Sequence, residues 1–515
     1  MTPSPQLSDL FPTAGSLPAD FAEVLGRDAP FWLEGGELRA WSGPREEVFS
    51  PVLERTGGAL APIRLGSVPA LGEQEAMQAL ASAGAAYGDG NGHWPSLPAE
   101  ERIRALEHFA DLIAPLRESV ARLIAWEVGK SLSGSLAEFD RTLECLRETA
   151  QEARELASEW DRERARGGIL ARVGRRPLGV ALCLGPFNYP FNETLATLAP
   201  ALVMGNTAVL KAPRIGRLCL AAILEPLRQA FPPGVVNVIF GGPELASRLM
   251  ATGRVDVLAF IGTSRAAAAL AGAHPRPHRL RQVLGLEAKN AAIVLPDADL
   301  DLAVAECLRG ALAFNGQRCT ALKMLWVARE LEQEFLERLA RGVRGLRLGM
   351  PWAPGVDITP LPEPERPAYL SELVADALAR GARLLTPGGG ESCGTLFAPA
   401  LLGGVTPDMR IAREEQFGPV VPVAAFDDID EPLAAIAGSD HGQQASLFGS
   451  DPDALERVAD RLSRLVCRVN LNCKCQRGPD DLPFAGRKDS ALGDMSTPAA
   501  LRAFSIEYVL AKRLS

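Results

Sequence analysis

Gly179-Val180-Ala181-Leu182-Cys183-Leu184-Gly185-Pro186-Phe187 is the stretch that decides the fold class. Its apolar run, 180–184, shows no alternation and is bounded by glycine on both sides. A run so short, apolar on both faces, suits a strand buried from both sides, as in parallel sheets covered by helices. Three more such segments follow at residues 207–210, 235–240 and 257–261, and helical spacing fills 218–230, 245–251 and 266–273 between them. Alternation of this kind predicts a parallel sheet with helical crossovers. A second alternating set occupies residues 291–295, 324–327, 384–385, 420–425 and 445–448. The chain therefore reads as two α/β units joined near residues 275–290.

Upstream, Ile103, Leu106, Phe109, Ile113 and Leu116 recur at three- and four-residue steps, so residues 99–164 are expected to be helical. Residues 1–70, rich in proline and glycine, read as an irregular lead-in. Division into units also suits the length. The 515 residues exceed the roughly 250–300 at which a single core stops growing. With 47% hydrophobic and 23% charged residues, the composition is that of a packed globular protein and argues against disorder. A net charge of −9 makes nucleic acid a poor partner. Apolar runs are broken well short of the ~20 residues a membrane span needs, so no membrane contact is expected. The first twenty residues lack the basic stretch and apolar core of a secretory signal. Nine cysteines without framework spacing read as reduced thiols, which implies a cytoplasmic location. Cys473 and Cys475 are too close for a zinc knuckle and have no histidine nearby, so no metal site is expected.

The five histidines fall in no hydrolase or zinc-ligand frame. The strongest nucleophile candidate is Cys319, in Asn315-Gly316-Gln317-Arg318-Cys319-Thr320, where loop amides and the adjacent Arg318 favour thiolate. Taken alone, a single cysteine is more often a small buried hydrophobe. Asn188 alone is a turn residue before Pro190. Arg141, off the Leu136, Phe139, Leu143, Leu146 stripe, reads as solvated.

The combination outweighs these single readings. Gly185-Pro186-Phe187-Asn188-Tyr189-Pro190, Gly205-Asn206-Thr207, Val209-Leu210-Lys211, Phe260-Ile261-Gly262-Thr263, Gly316-Gln317-Arg318-Cys319, Glu415-Gln416-Phe417-Gly418-Pro419 and Pro483-Phe484-Ala485-Gly486 occur in one order. Together they resemble the NAD(P)-dependent aldehyde dehydrogenase superfamily over about residues 75–510. The resemblance implies two Rossmann-like parallel-sheet domains plus a small β oligomerisation flap. The cofactor domain would be 71–285, with flap strands near 165–178, and the catalytic domain 286–475. Residues 476–515 would return and complete the oligomerisation segment of a homodimer or homotetramer. Cys319 matches the nucleophile that forms a thiohemiacetal, and Asn188 the amide that binds the oxyanion. Lys211, Gly262, Thr263, Glu415 and Phe417 match cofactor-binding positions. Where NAD-preferring relatives often carry Glu, this chain has Arg214, followed by Arg217. These cations beside Lys211 suit a 2′-phosphate, which favours NADP, with NAD as the alternative.

Within the superfamily, non-phosphorylating glyceraldehyde-3-phosphate dehydrogenases bind the substrate phosphate with three arginines and a tyrosine. Arg141, Tyr189, Arg318 and Arg477 match those positions, and planar guanidinium forks suit phosphate. The expected substrate is thus a small phosphorylated or otherwise anionic aldehyde. One position departs. Aligned on Lys289, the superfamily's general-base Glu is Gly285, with Glu287 two residues on. In extended backbone the two positions share a side, ~6–7 Å apart, so Glu287 is either a substitute base or a structural residue. Three readings stand: NADP-dependent oxidation of glyceraldehyde 3-phosphate to 3-phosphoglycerate; another aldehyde dehydrogenase, acting on a different anionic semialdehyde or releasing its product to coenzyme A; or a non-catalytic protein on this fold.

Overall fold

The structure, a computed structural model, describes residues 7–160 and 162–514. Five parallel strands form the centre of the first sheet. Their spatial order is Val236–Ile239, Thr207–Lys211, Val180–Leu184, Val257–Ile261, Arg281–Gly285. Val180–Leu184 is buried along its whole length, as its unalternating run predicts. From this strand the chain steps outward to Thr207–Lys211 and Val236–Ile239, then returns to the opposite side for Val257–Ile261. Such a reversal opens a crevice beyond the carboxyl end of the strand where it occurs.

The second sheet is built by the same logic. Ala400–Gly403, Val420–Phe426, Met324–Ala328, Ala291–Val294, Gln444–Phe448 and Arg468–Leu471 lie side by side in parallel. Alternate residues of Ala291–Val294 enter different cores: Ala291 and Ile293 pack with Leu370 and Leu447, whereas Ala292 and Val294 pack with Phe335 and Val423. Helices therefore cover both faces, and neither face needs polar residues. The edge strand Arg383–Leu384 is antiparallel and exposed.

The expectation of an irregular lead-in is corrected. Phe31–Glu34 and Glu37–Ala40 form a hairpin that extends the first sheet through Leu33 against Val238. Arg45–Thr56 and Ala59–Pro69 form a second, longer hairpin. Each turns on a glycine pair, Gly35-Gly36 and Gly57-Gly58, with positive φ at all four residues. Two-residue hairpin turns of this hand demand such φ values, which cost L-residues most and glycine least. Phe11, Phe21, Trp32 and Leu65 enter the first sheet's core. The helical region also ends earlier than residue 164. Leu132–Ser158 is its last helix, and Glu163–Arg166 is already a strand.

Ser505–Arg513, Ile169–Pro177 and Glu163–Arg166 make a separate antiparallel sheet. It occupies the segments read as the flap, and Ile506, Val509 and Leu510 on it are exposed. Among the described residues, no helix is long and apolar enough to cross a membrane.

Candidate active site

Cys319 is presented by a turn of uncommon backbone geometry. The helix Leu300–Leu312 runs into Ala313–Gly316, where Phe314, Asn315 and Gly316 all have positive φ. For the two non-glycine residues this is a costly conformation that surroundings must enforce. Asn315 is the clamp: its Oδ1 accepts from the Thr359 N–H at 3.0 Å and its Nδ2 donates to the Thr359 hydroxyl at 3.2 Å. A Cβ at Gly316 would sit 2.7 Å from the Ala311 carbonyl and 2.8 Å from that of Gly418, so only glycine fits. Beyond the turn, the Cys319 carbonyl accepts from Asn290 Nδ2 at 2.7 Å and from Lys323 Nζ at 3.0 Å.

The Asn188 segment meets this turn from the other unit. Asn188 Nδ2 donates to the Gln317 carbonyl at 2.8 Å. Its own carbonyl accepts from the buried Lys130 Nζ at 3.0 Å, and Lys130 is ion-paired to the buried Glu138. The second Glu138 oxygen accepts from the Phe191 and Asn192 N–H groups, capping the helix Asn192–Val203. One carboxylate thus satisfies orphan helix amides and fixes the cation that holds Asn188. Lys130 also lies 3.5 Å from the centroid of the Tyr189 ring, which makes a T-shaped pair with Phe314. Burial pushes the Tyr189 phenol well up, with Arg318 opposing.

A cavity of about 890 Å³ is lined by residues that follow strands of both sheets. Among its lining residues are Asn188 and Cys319, the anion-binding candidates Arg141, Tyr189, Arg318 and Arg477, and Glu287. Of the cofactor candidates, Arg214, Gly262, Thr263, Glu415 and Phe417 also line it. Lys211 does not; it is buried behind the strand end and donates to the Ala212 carbonyl at 3.2 Å.

The arginines are not free. Arg141 pairs with the buried Asp480 and, at 3.1 Å, with Glu144. Arg477 pairs with Glu193 and has Asp480 at 3.8 Å. Arg318 donates to the carbonyls of Arg309, Gly310 and Ala313, closing the carboxyl end of the helix that carries the thiol turn. The expectation that this neighbour and the loop amides favour thiolate is corrected. Burial raises the Cys319 pKa, Glu193 raises it further, and the opposing cations are Lys323 and Arg477. Desolvation outweighs these cations, so the site holds the Cys319 pKa above the usual thiol value.

On the cofactor side, Arg214 is 62% exposed, with Glu365 at 3.4 Å and Glu363 at 4.0 Å. Arg217 is committed elsewhere, bonded to Glu46 at 2.6 Å. Burial lowers Lys211 to about 8, and Arg217 adds to the shift. Thr263 caps the helix Ser264–Ala273, its hydroxyl accepting from the Ala266 N–H at 3.2 Å. Glu415 is bonded to Lys323 at 2.6 Å and to the Ala288 N–H at 3.1 Å. Phe417 has positive φ and sets its ring against Phe187.

Gly285 ends its strand, and a Cβ there would meet the Met495 sulfur at 2.8 Å. A side chain there would have to displace the Met495 thioether, although the position itself faces the cavity. Glu287 has found a partner: its carboxylate accepts from the Ser264 N–H at 2.7 Å, at the positive end of the Ser264–Ala273 helix. Of the two roles open to Glu287 from the sequence, the geometry matches the structural one. Reading the sequence missed Lys130, Glu138, Glu193, Lys323 and Asp480. Each is a buried or half-buried charge whose partner lies far along the chain, except Lys130 and Glu138, eight residues apart.

Comparison with known proteins agrees with this arrangement. A relative from Streptococcus equinus, an NADP-dependent glyceraldehyde-3-phosphate dehydrogenase, is 34% identical over 450 residues, 86% of this chain and 91% of its own. A 3-sulfolactaldehyde dehydrogenase from Priestia aryabhattai is 30% identical over 420 residues, 80% of this chain and 86% of its own. The crystal structure of the NADP-dependent glyceraldehyde-3-phosphate dehydrogenase from Bacillus halodurans C-125, complexed with NADP, superimposes with a TM-score of 0.86 at 34% identity, covering 94% of this chain and 99% of that one. The aldehyde dehydrogenase family model matches residues 60–508, and with the thiol turn and the Asn188 segment on one cavity, the chain belongs to that family.

Proposed function

We propose that this protein oxidises glyceraldehyde 3-phosphate to 3-phosphoglycerate with NADP. The observation that carries the reading is the convergence of Arg141, Tyr189, Arg318 and Arg477 with Cys319 on one cavity. The relatives named for glyceraldehyde 3-phosphate and 3-sulfolactaldehyde support a three-carbon aldehyde with an anionic end. Arg141 and Arg477 would take the phosphate by charge-assisted bonds, sharing or exchanging their present carboxylate partners. Arg318 would contribute field from the helix end, and Tyr189 its hydroxyl.

In the reaction, the Cys319 sulfur loses its proton and attacks the aldehyde carbon. The Asn188 side-chain amide and the Cys319 N–H stabilise the resulting oxyanion. NADP, when bound, supplies the hydride acceptor. Glu415, Phe417, Gly262 and Thr263 would hold its nicotinamide end and pyrophosphate, and Lys211 with Arg214 its adenosine phosphate. The cofactor fits this donor set: Arg214 is exposed and weakly paired, and the helix end at Ser264 binds a carboxylate where an anion is wanted. Oxidation leaves a thioester on Cys319.

A second reading concerns the discharge of that thioester. Because Gly285 offers no carboxylate, transfer to coenzyme A is the alternative. The test is NADPH formation from glyceraldehyde 3-phosphate without added phosphate or coenzyme A. Sustained turnover supports hydrolysis, and one burst per subunit that resumes with coenzyme A supports acyl transfer. Absence of NADPH in both conditions removes the substrate assignment. Cytoplasmic location and a homodimer or homotetramer through the exposed Ile506, Val509 and Leu510 strand complete the proposal.

A further inference from the structure

If hydrolysis is the outcome, a carboxylate must act where Gly285 cannot. The carboxylates that influence the Cys319 thiol electrostatically are Glu193 and Glu415. Glu415 is bonded to the buried Lys323 and to the Ala288 N–H, and so is spoken for. Glu287, also on the cavity wall, caps the Ser264 helix. Glu193 differs from both in that its carboxylate is held by a side chain of the proposed anion site, Arg477, and not by a backbone N–H. It lines the same cavity as Cys319 and stands in the first turn of the Asn192–Val203 helix, its N–H bonded to the Tyr189 carbonyl at 3.1 Å. Side-chain exposure is 13% for Glu193 and 18% for Arg477, so the pair is shielded from bulk solvent but open to the cavity.

We propose that Glu193 is the base that activates the water discharging the Cys319 thioester, and that Arg477 holds it in reserve until the substrate's anionic end takes the guanidinium. This rests on the acyl-thioester reading of Cys319 above. The step balances without any redox partner. The water oxygen bonds to the thioester carbon while its proton passes to the Glu193 carboxylate. The C–S bond then breaks, its electron pair stays on the Cys319 sulfur, and the proton on Glu193 returns to that sulfur or to solvent. Asp480 remains 3.8 Å from Arg477, so the guanidinium keeps a counter-ion while its bond to Glu193 is exchanged. The arrangement ties hydrolysis to occupancy of the anion site and leaves the thioester stable before it.

The experiment uses p-nitrophenyl acetate, which acylates the thiol without cofactor or aldehyde, and inorganic phosphate as the anion probe. Wild type is expected to give a nitrophenolate burst, then a slower steady rate that phosphate raises. Glu193→Gln should keep the burst amplitude while the steady rate falls about 100-fold, the usual lower range for removing a general base. The response to phosphate should disappear with it. Glu193→Asp, which restores the carboxylate on a shorter stem, should recover part of the rate together with its pH dependence. A Glu193→Gln steady rate within twofold of wild type overturns the proposal, as does the whole loss appearing in Glu287→Gln instead. A wild-type steady rate indifferent to phosphate overturns the reserve role of Arg477 and needs no variant. An ester burst without NADPH from glyceraldehyde 3-phosphate removes only the substrate assignment, whereas absence of the burst removes the thioester and this step with it.

Discussion

On the thiol side of the cavity, Asn290 and Lys323 hold the Cys319 carbonyl, Asn188 holds Gln317, and Glu138 with Lys130 holds the Asn188 segment. On the cofactor side, Arg214 is largely exposed and its nearest carboxylate is 3.4 Å away, while Lys211 donates to its neighbour's carbonyl. The two ends of one cavity are thus built to different tolerances. Groups that meet developing charge act best when they are already in place, because reorganisation at the moment of reaction adds to the barrier. A nucleotide brings many contacts of its own and can order long side chains on arrival. Damage to the thiol side should therefore be severe and damage to the cofactor side graded.

The largest effect expected is that of Cys319→Ser. A hydroxyl in this turn lacks the sulfur's nucleophilicity, and the NADPH burst should fall by about 10⁴-fold or more. Rapid-mixing absorbance at the NADPH band measures it. Next comes Lys130→Met, which strands the buried Glu138 without its cation. Losing one partner of a buried pair costs about 3–5 kcal/mol, read as a lower denaturation midpoint in urea. Lys130→Met with Glu138→Gln removes both charges and should recover most of that loss. A double variant no more stable than the single would show that the pair does not hold this corner.

The contrast between the two ends also governs what the sequence revealed. Val180–Leu184 and Ala291–Val294 were legible because burial on both faces leaves no polar alternation. The hairpins before residue 70 were not, because proline and glycine content suggested irregularity, although Gly35-Gly36 and Gly57-Gly58 are turn signals between alternating segments. Cys319, Asn188 and the arginines were found from ordered motifs, and they do share a cavity. Their electrostatics were not legible. Arg318 is adjacent in sequence to Cys319, yet it bonds to the end of a helix, and burial dominates the thiol. Spacing placed Glu287 near the site, but its carboxylate binds Ser264, 23 residues earlier in the chain. Glu193 carries no sequence signal of its role because its partner Arg477 lies 284 residues away.

Arg214→Glu sharpens the comparison from the cofactor side. A carboxylate there would repel a 2′-phosphate and accept ribose hydroxyls, so preference should move from NADP toward NAD. One lost charge-assisted bond is worth about 1.5–3 kcal/mol, which corresponds to roughly 10- to 150-fold in the ratio of the two dissociation constants. Fluorescence titration with each reduced cofactor measures this. An unchanged ratio would place the 2′-phosphate elsewhere. Because Arg214 is exposed, thermal stability should stay within about 0.5 kcal/mol of wild type.

The smallest effect expected follows from Lys211, whose pKa burial lowers to about 8. A phosphate bound beside it would favour the charged form and raise that value, so cofactor binding takes up a proton wherever free Lys211 is partly neutral. Below pH 7 the group is charged in both states and affinity should be flat. As pH climbs past 8, the free protein loses the charge that the complex needs, and NADP should bind more weakly. Between pH 7 and pH 9 the charged fraction of a group that titrates at about 8 falls about tenfold, so the loss should be about tenfold at most. NAD has no 2′-phosphate and should show a shallower dependence. Calorimetric titration at both pH values, in buffers of different ionisation enthalpy, counts the proton directly. Equal slopes for the two cofactors would mean that Lys211 serves the ribose alone, and would leave Arg214 as the phosphate's partner.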